Sequence, residues 1–301
     1  MSGGISLISP SGDTHHILNN AGGDIRPNGI ALENGGTVLL AHMGDTEGGI
    51  YRLHPDGKLN PVALSVEGQA MPPTNFVVQD NTGRIWITVS TRKTPRASDY
   101  RAGAKTGFIA VVEPGKTDAR IVADGLGYTN ECVIDEARGE LWVNETFARR
   151  VTRYQLNGFE SNEVYLSKPS VVCEFDAGTY PDGIALDTEG HAWITSIVSN
   201  RIIRVSPEGL QTLMFEDCDE EHLRWTEAAY KSHSLGREHL DNAKGEAMKN
   251  VSNLAFGGRD LKTLYIGNLL GDTLPVFKQE ISGHAMSHWN VPLGNLEQFL
   301  D

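Results

Sequence analysis

The sequence is poor in cysteine: only Cys132, Cys173 and Cys218 occur among its 301 residues. Their number is odd and no two of them form a C-x-x-C pair, which argues against a disulfide framework and against a cysteine-based zinc site. Basic residues are also scarce, since 26 lysines and arginines face 39 acidic residues and leave a net charge of −13. This balance excludes nucleic acid as the expected partner, because binding to a polyanion requires a basic surface.

Long hydrophobic runs are absent as well, and no run approaches the roughly 18 apolar residues of a membrane-spanning helix. The first seven residues, Met-Ser-Gly-Gly-Ile-Ser-Leu, lack the basic and apolar regions of a secretion signal. We therefore expect a cytoplasmic protein without a membrane partner. A hydrophobic content of 39% and 33 glycines predict a globular fold with many tight turns.

One short pattern is present five times: an Asn or Asp, an apolar strand, a turn, and a second apolar strand. The marker residues that open these copies are Asn28, Asn75, Asn130, Asp182 and Asn253. The steps between successive markers are 47, 55, 52 and 71 residues long. A repeat of roughly 40–50 residues that is rich in short strands is typical of a β-propeller, in which each repeat forms one four-stranded blade.

A second pattern, a strand followed by a Pro-x-Gly turn and a return strand, predicts the number of blades. This outer-half pattern stands at 49–57, 108–115 and 201–209, each time after an inner pair of strands that a marker residue opens. It also stands at 4–17, where no inner pair of strands precedes it. We therefore predict one all-β domain over 1–301, a six-bladed β-propeller whose first blade lacks its inner strands. A five-bladed ring with irregular termini is the alternative.

The incomplete first blade has two consequences. Its strand edges and apolar surface would be exposed, which predicts self-association through the gap. The missing strands are either absent from the natural protein or encoded upstream of Met1.

Two insertions interrupt the repeat. Residues 91–106 predict a loop, which carries the basic residues Arg92, Lys93, Arg96, Arg101 and Lys105. Residues 217–249, in the region of the fifth blade, have helical spacing, with Asp219 as the expected N-cap. His222, Trp225, Ala228 and Ala229 would share one face of this helix. The helical insertion predicts a lid or a packing element over one face of the propeller.

The five marker residues are the first candidates for chemistry. Equivalent positions of radially repeated blades face one axis, so their amide and carboxylate oxygens are expected to converge there. Such oxygens suit a hard cation such as calcium or magnesium. For a single copy, capping of a turn by the side chain is the favoured interpretation. Five equivalent copies favour a shared central site.

Three runs of the sequence resemble the SMP-30/gluconolactonase/LRE-like family of six-bladed propellers: 181–187, 129–131 and 254–258. The resemblance covers nearly the whole chain and the order of its motifs. It implies a hydrolase that depends on a divalent metal and opens a lactone or related ester with metal-activated water. Calcium is the expected ion, with magnesium, zinc and manganese as alternatives. The expected partner is a small-molecule substrate.

The resemblance also implies roles for individual residues. Asn130 and Asp182 match two metal ligands of the family, and Asp182 is in addition the candidate general base. Asn75 matches a residue that touches substrate or metal. The family's glutamate ligand on the first inner strand has no counterpart here, and either Glu131 or a water molecule is the candidate substitute.

The substrate-binding arginine of the family is a second point of departure, because Pro73 stands at its position. Arg92 and Arg101 of the basic loop are therefore predicted to bind an anionic part of the substrate, such as a carboxylate, through bidentate contacts. A solvated loop without such a role is the alternative.

The missing glutamate ligand leaves two hypotheses for the function. The first is a metal-dependent lactonase. The second is a propeller that binds a ligand or a protein without catalysing a reaction.

Overall fold

Short β-strands are the main regular elements of the computed structural model, which describes residues 3–159, 161 and 163–299. The contacts between residues divide the chain into two compact units. The first unit contains Met1–Arg92, Phe108–Ala123 and Met286–Asp301, and the second contains Lys93–Gly107 and Asp124–Ala285.

The first unit contains a hairpin and most of two larger sheets. The hairpin pairs β1 (Gly4–Ile8) with β2 (Thr14–Leu18). A four-stranded antiparallel sheet follows in chain order, with strands β3 (Pro27–Leu32), β4 (Val38–Met43), β5 (Gly48–Leu53) and β6 (Leu59–Ala63). A six-stranded sheet has the order β8-β7-β12-β11-β10-β9, with strands β7 (Ser65–Val66), β8 (Gln69–Ala70), β9 (Phe76–Gln79), β10 (Ile85–Val89), β11 (Gly107–Val112) and β12 (Asp118–Leu126).

The second unit contains three sheets and two helices. The first sheet consists of β13 (Thr129–Asp135), β14 (Glu140–Glu145), β15 (Arg150–Asn157), β16 (Tyr165–Leu166) and β17 (Ser170–Glu174). The second consists of β18 (Tyr180–Leu186), β19 (Ala192–Ile197), β20 (Arg201–Val205) and β21 (Gln211–Glu216). After the helices α1 (Glu220–Lys231) and α2 (Arg237–Leu240), the third sheet consists of β22 (Val251–Gly257), β23 (Thr263–Asn268) and β24 (Val276–Lys278).

The repeated strand pairs place the chain in the all-β propeller class. Each of the five predicted inner halves is an antiparallel pair, formed by β3/β4, β9/β10, β13/β14, β18/β19 and β22/β23. The prediction of six blades is wrong, because the described residues form five blade sheets.

The amino-terminal hairpin explains the difference in blade number. β1 and β2 pair only with each other within the described part of the chain, so they remain a two-stranded sheet. Their apolar side chains, including Ile5 and Ile17, pack on Val38 and Leu40 of the neighbouring sheet. Leu296, in the 3₁₀ helix Gly294–Phe299, belongs to the same cluster. The hairpin therefore covers the core of an existing blade.

A buried aspartate closes the turn between the two inner strands of two blades. Asp187 accepts hydrogen bonds from the backbone N–H of Glu189 and His191 and from Trp193 Nε1, at 2.9, 3.0 and 2.9 Å. Arg204 adds an ion pair at 2.8 Å. Asp80 of the first unit binds Trp86 Nε1 in the same way, at 2.8 Å. In both blades, an aspartate six residues before a buried tryptophan binds the tryptophan side chain and closes the turn between the two strands.

We expect Asp187→Asn to lower the free energy of unfolding by about 3 kcal/mol at neutral pH, because it leaves Arg204 without its buried partner. Burial alone would raise the pKa of Asp187, but the hydrogen bonds from Arg204 and Trp193 outweigh it and hold this pKa below its ordinary value. The stabilisation is therefore complete above the unfolded-state pKa of about 3.9 and is lost as pH falls through the folded-state pKa.

Urea unfolding of the wild type and of Asp187→Asn at pH 7 and at about pH 3 measures the difference in their free energies of unfolding. This difference should shrink at the lower pH. Glu189→Gln is the matched control, since Glu189 binds the same Arg204 at 2.6 Å but is 57% exposed. We expect this control to stay within about 0.5 kcal/mol of the wild type. An equal loss for both variants would contradict the assignment.

The helical segment lies between β21 and β22. Asp219 is the N-cap of α1, and its side chain accepts hydrogen bonds from the N–H groups of Glu221 and His222. The buried residues of α1 are Thr226, Glu227, Ala229 and Tyr230. The predicted face is only partly right, because Trp225 is 47% exposed and stacks on His239 of α2. No helix within the described ranges has both the length and the apolar character to cross a membrane.

Candidate functional site

Three marker residues of the second unit stand at the beginnings of inner strands. Asn130 is the second residue of β13, while Asp182 and Asn253 are the third residues of β18 and β22. The pairing register shifts next to each of them, between 129 and 132, between 181 and 184, and between 251 and 253. Such bulges interrupt the regular alternation of side chains and redirect them.

The backbone beside Asp182 is held very close to β22. A Cβ atom at Gly183 would lie 2.7 Å from the carbonyl oxygen of Ser252, so only glycine fits there. Thr195 Oγ1 accepts a hydrogen bond from Gly183 N at 2.7 Å. Asn144 Nδ2 donates to the carbonyl oxygens of Asp182 and Gly183, at 3.0 and 2.9 Å. These contacts fix the backbone from which the Asp182 side chain projects.

Two carboxylates and two amides meet at this point. Asn130 Nδ2 donates to Asp182 Oδ1 and also to Thr146 Oγ1. Asn253 Nδ2 donates to Glu131 Oε1 at 2.6 Å, and the N–H of Ile184 donates to Glu131 Oε2 at 3.2 Å. The cluster formed by Asn130, Glu131, Asp182 and Asn253 is called the acidic–amide cluster below.

Electrostatics disfavours two negative charges in this cluster. Burial and the negative charge of Asp182 raise the pKa of Glu131 to about 8, although Asn253 and Ile184 bind its ionised form. Burial raises the pKa of Asp182 to about 7 against the opposing effects of Asn130 and of the positive charge of Arg96. Two carboxylates out of water repel each other unless they share a proton or a cation.

The donors of the acidic–amide cluster fit a divalent cation of the hard type. Carboxylate and amide oxygens are the protein ligands that calcium and magnesium prefer. A cation would also balance the charge of Glu131 and Asp182. The described residues contain no group of three or more His, Cys, Asp or Glu side chains arranged for a metal ion. A metal here would therefore need amide oxygens as well as the two carboxylates.

Asn75, a predicted substrate residue, lies in the first unit. Its side-chain Nδ2 donates to Ser90 Oγ at 2.9 Å, and its carbonyl oxygen accepts from Asn28 Nδ2 at 2.8 Å. The contact is allowed by Gly29, where a Cβ atom would lie 2.7 Å from the Cα of Phe76. The first unit thus brings the marker residues Asn28 and Asn75 together.

The two predicted arginines of the basic loop have other neighbours. The guanidinium of Arg92 lies over the ring of Phe108, 4.3 Å from its centroid. Arg101 pairs with the fully buried Asp99 at 3.4 Å, and Lys93 pairs with the same carboxylate at 3.2 Å. The positive charge of Arg96, another basic residue of this loop, lowers the pKa of Asp182.

The sequence patterns did not single out Glu131, Asn253 and Arg96 as the partners of Asn130 and Asp182. Glu131 directly follows a marker residue, and strict alternation would have directed it away from Asn130. The bulge between 129 and 132 removes that restriction. Asn253 was visible as a marker of the repeat. Arg96 had no local signal that distinguished it from the other basic residues of its loop.

Comparisons with known proteins agree with this architecture. Residues 4–216 match the model of the SMP-30/Gluconolactonase/LRE-like region. The pentonolactonase XacC of Haloferax volcanii is 24% identical over 250 residues, which cover 81% of this chain and 67% of that protein. Protein STRICTOSIDINE SYNTHASE-LIKE 13 of Arabidopsis thaliana is 26% identical over 157 residues, which cover 51% of this chain and 37% of that protein.

A solved structure shows the same fold. XC5397 of Xanthomonas campestris, described as a gluconolactonase, superposes with a TM-score of 0.62 at 16% identity. The match covers 90% of this chain and 75% of that structure. Since the chain spans only 37% of one curated relative and 67% of the other, their whole-protein activities do not transfer directly.

Proposed function

The chain belongs to the SMP-30/gluconolactonase/LRE-like family, and from this premise we propose that it is a lactonase that hydrolyses a small-molecule lactone or related ester with the aid of a divalent cation. The observation that carries the proposal is the acidic–amide cluster, in which Glu131 and Asp182 lie beside Asn130 and Asn253. The non-catalytic alternative rests on the missing glutamate ligand of the family, and the position of Glu131 beside Asn253 supports the catalytic proposal over it.

The chain's own residues supply the proton transfers of the proposed reaction. The Asp182 carboxylate takes a proton from a water molecule as the water oxygen bonds to the lactone carbonyl carbon. The carbonyl double bond opens to a tetrahedral oxyanion, and the ring C–O bond then breaks as the carbonyl re-forms. Asp182 returns its proton to the leaving ring oxygen, so the products are a carboxylic acid and an alcohol on one molecule.

The cation would be held by Asp182, Glu131 and Asn130, with the Asn253 amide beside them. When bound, it supplies Lewis-acid polarisation of the carbonyl and lowers the pKa of a bound water molecule. Calcium is the expected ion because every donor of the cluster is oxygen or can present oxygen, and magnesium, zinc and manganese are the alternatives to test. Asn144 and Thr195 position Asp182 through its backbone.

Removal of metal is expected to reduce lactone hydrolysis by about 100-fold or more, because Lewis-acid stabilisation of the transition state contributes several kcal/mol. A pentonolactone and a gluconolactone are suitable first substrates, assayed before and after chelation and after return of each ion. Titration calorimetry of the stripped protein with calcium should show one site, which Glu131→Gln weakens. Full activity in protein shown by elemental analysis to be free of divalent metal would overturn the metal dependence.

A further inference from the structure

Arg96 is bound to a buried tyrosine that directly precedes the strand carrying Asn130 and Glu131, and its positive charge lowers the pKa of Asp182. Its Nη2 donates a hydrogen bond to Tyr128 Oη at 2.9 Å, and its guanidinium lies 5.8 Å from the centroid of the Tyr128 ring. Tyr128 stands two residues before Asn130, and its carbonyl oxygen accepts from Thr146 N at 3.0 Å. Thr146 is the residue whose hydroxyl binds Asn130. Arg96 is therefore tied to the same strand ends that carry the site.

The surroundings of Tyr128 make this placement rigid. Its ring packs against Tyr100 and Phe147, with centroid distances of 5.3 and 4.7 Å. Tyr128 is 4% exposed and Phe147 is 1% exposed. An arginine held on a packed aromatic cluster presents its planar donors in one orientation, which is what specific recognition of a planar anion requires.

The rest of the loop is fixed independently by Asp99. This fully buried carboxylate pairs with Lys93 and Arg101 and accepts a hydrogen bond from Thr106 Oγ1 at 2.5 Å. The loop thus directs two of its positive charges towards its own interior. The positive charge of Arg96, in contrast, lowers the pKa of Asp182.

This placement determines what kind of substrate the site favours. A substrate anion that approaches Glu131 and Asp182 is repelled by any carboxylate that stays ionised, and a fixed guanidinium whose charge acts on Asp182 offsets that repulsion. Guanidinium donors also match the geometry of a carboxylate. We propose that Arg96 is a specificity-determining residue that binds a carboxylate group carried by the lactone substrate. The favoured substrates are then lactones of sugar diacids over uncharged sugar lactones, an inference that rests on the proposed lactonase function.

The test compares kcat/KM for a lactone with a free carboxylate and for an uncharged lactone of the same ring size. Arg96→Gln is expected to lower the ratio of anionic to uncharged kcat/KM by about 10- to 100-fold, the usual effect of losing a charge-assisted hydrogen bond. Most of the change should appear as a higher KM for the anionic lactone. Arg96→Lys should retain part of the preference, because it keeps the charge and loses the planar fork.

Two further variants separate this role from a structural one. Lys105→Gln removes an exposed positive charge from the same loop and should leave the ratio unchanged within about twofold. Tyr128→Phe keeps every charge and removes only the anchoring hydroxyl of Arg96, so it should lower the ratio in the same direction by a smaller factor. Equal effects of Arg96→Gln on both lactones, with unchanged circular dichroism, would overturn the proposal.

Direct binding distinguishes a failure of this inference from a failure of the proposed function. Calorimetry with an open-chain sugar dicarboxylate and with the corresponding uncharged alditol requires no turnover. If the wild type hydrolyses neither lactone but binds the dicarboxylate in an Arg96-dependent manner, the lactonase proposal fails and the carboxylate site stands. Dicarboxylate binding that is the same in wild type and Arg96→Gln would reject the carboxylate site, whatever the activity.

Discussion

Asp182→Asn is expected to lower kcat for lactone hydrolysis by about 10²- to 10⁴-fold, the range for loss of a positioned general base. The amide is nearly the same size as the carboxylate, so the contacts of Asn144 and Thr195 with this backbone should persist. The amide also lacks the negative charge that would help to hold a cation. Steady-state kinetics at saturating metal separates the two effects, because loss of the base lowers kcat even when the metal site is filled.

Asp176→Asn is the matched control for this experiment. Asp176 is an exposed aspartate of the same unit, six residues before Asp182. We expect its replacement to leave kcat and KM within about twofold of the wild type. If Asp182→Asn keeps more than about a tenth of the wild-type kcat with a filled metal site, another group is the base, and Glu131 is then the next candidate.

Glu227→Ala is expected to lower the free energy of unfolding by about 3–5 kcal/mol, the cost of removing one partner of a buried ion pair. Glu227 Oε1 accepts from Arg149 Nη2, from Gly178 N at 2.9 Å and from Tyr180 Oη at 2.6 Å. The guanidinium of Arg149 lies over the rings of Tyr180 and Tyr230, 4.5 and 3.8 Å from their centroids. Removal of the carboxylate leaves that buried charge without its partner.

Urea unfolding followed by far-UV circular dichroism measures the effect. Glu220→Ala is the control, because Glu220 on the same helix pairs with Arg224 at 3.2 Å and both side chains are at least 70% exposed. We expect the control to cost at most about 0.5 kcal/mol. The double variant Arg149→Met/Glu227→Met should lose less than the sum of its single variants. A loss below about 1 kcal/mol for Glu227→Ala would show that the ion pair does not anchor the helix.

Much of the architecture could be read from local patterns. The five marker residues predicted the five inner strand pairs, because alternating apolar residues and turn residues act over a few positions. The Asp219 cap was predictable for the same reason, since a cap acts within one turn of helix. The blade number was not predictable from such patterns, because the 4–18 hairpin has the sequence of an outer half wherever it packs.

In the candidate site, too, local sequence patterns predicted some residues, whereas contacts with distant segments decided the position of others. Asn130 and Asp182 were predicted together, and the structure brings them into hydrogen-bond contact. Their roles as metal ligands and base remain predictions. Arg92 and Arg101 were predicted from charge alone, and charge does not say whether an arginine finds a partner inside its own loop, as Arg101 does on Asp99.

The sequence by itself determined the family, the strand-rich repeat and the positions from which site residues project, because these depend on residue type and spacing. Only the tertiary structure decided which side chains meet. The bulge at 129–132 turns Glu131 towards Asn253, which lies 122 positions later in the chain. The hydrogen bond with Tyr128 fixes the side chain of Arg96, one of the five basic residues of its loop. Both outcomes depend on contacts between segments distant in sequence, and no local pattern encodes such contacts.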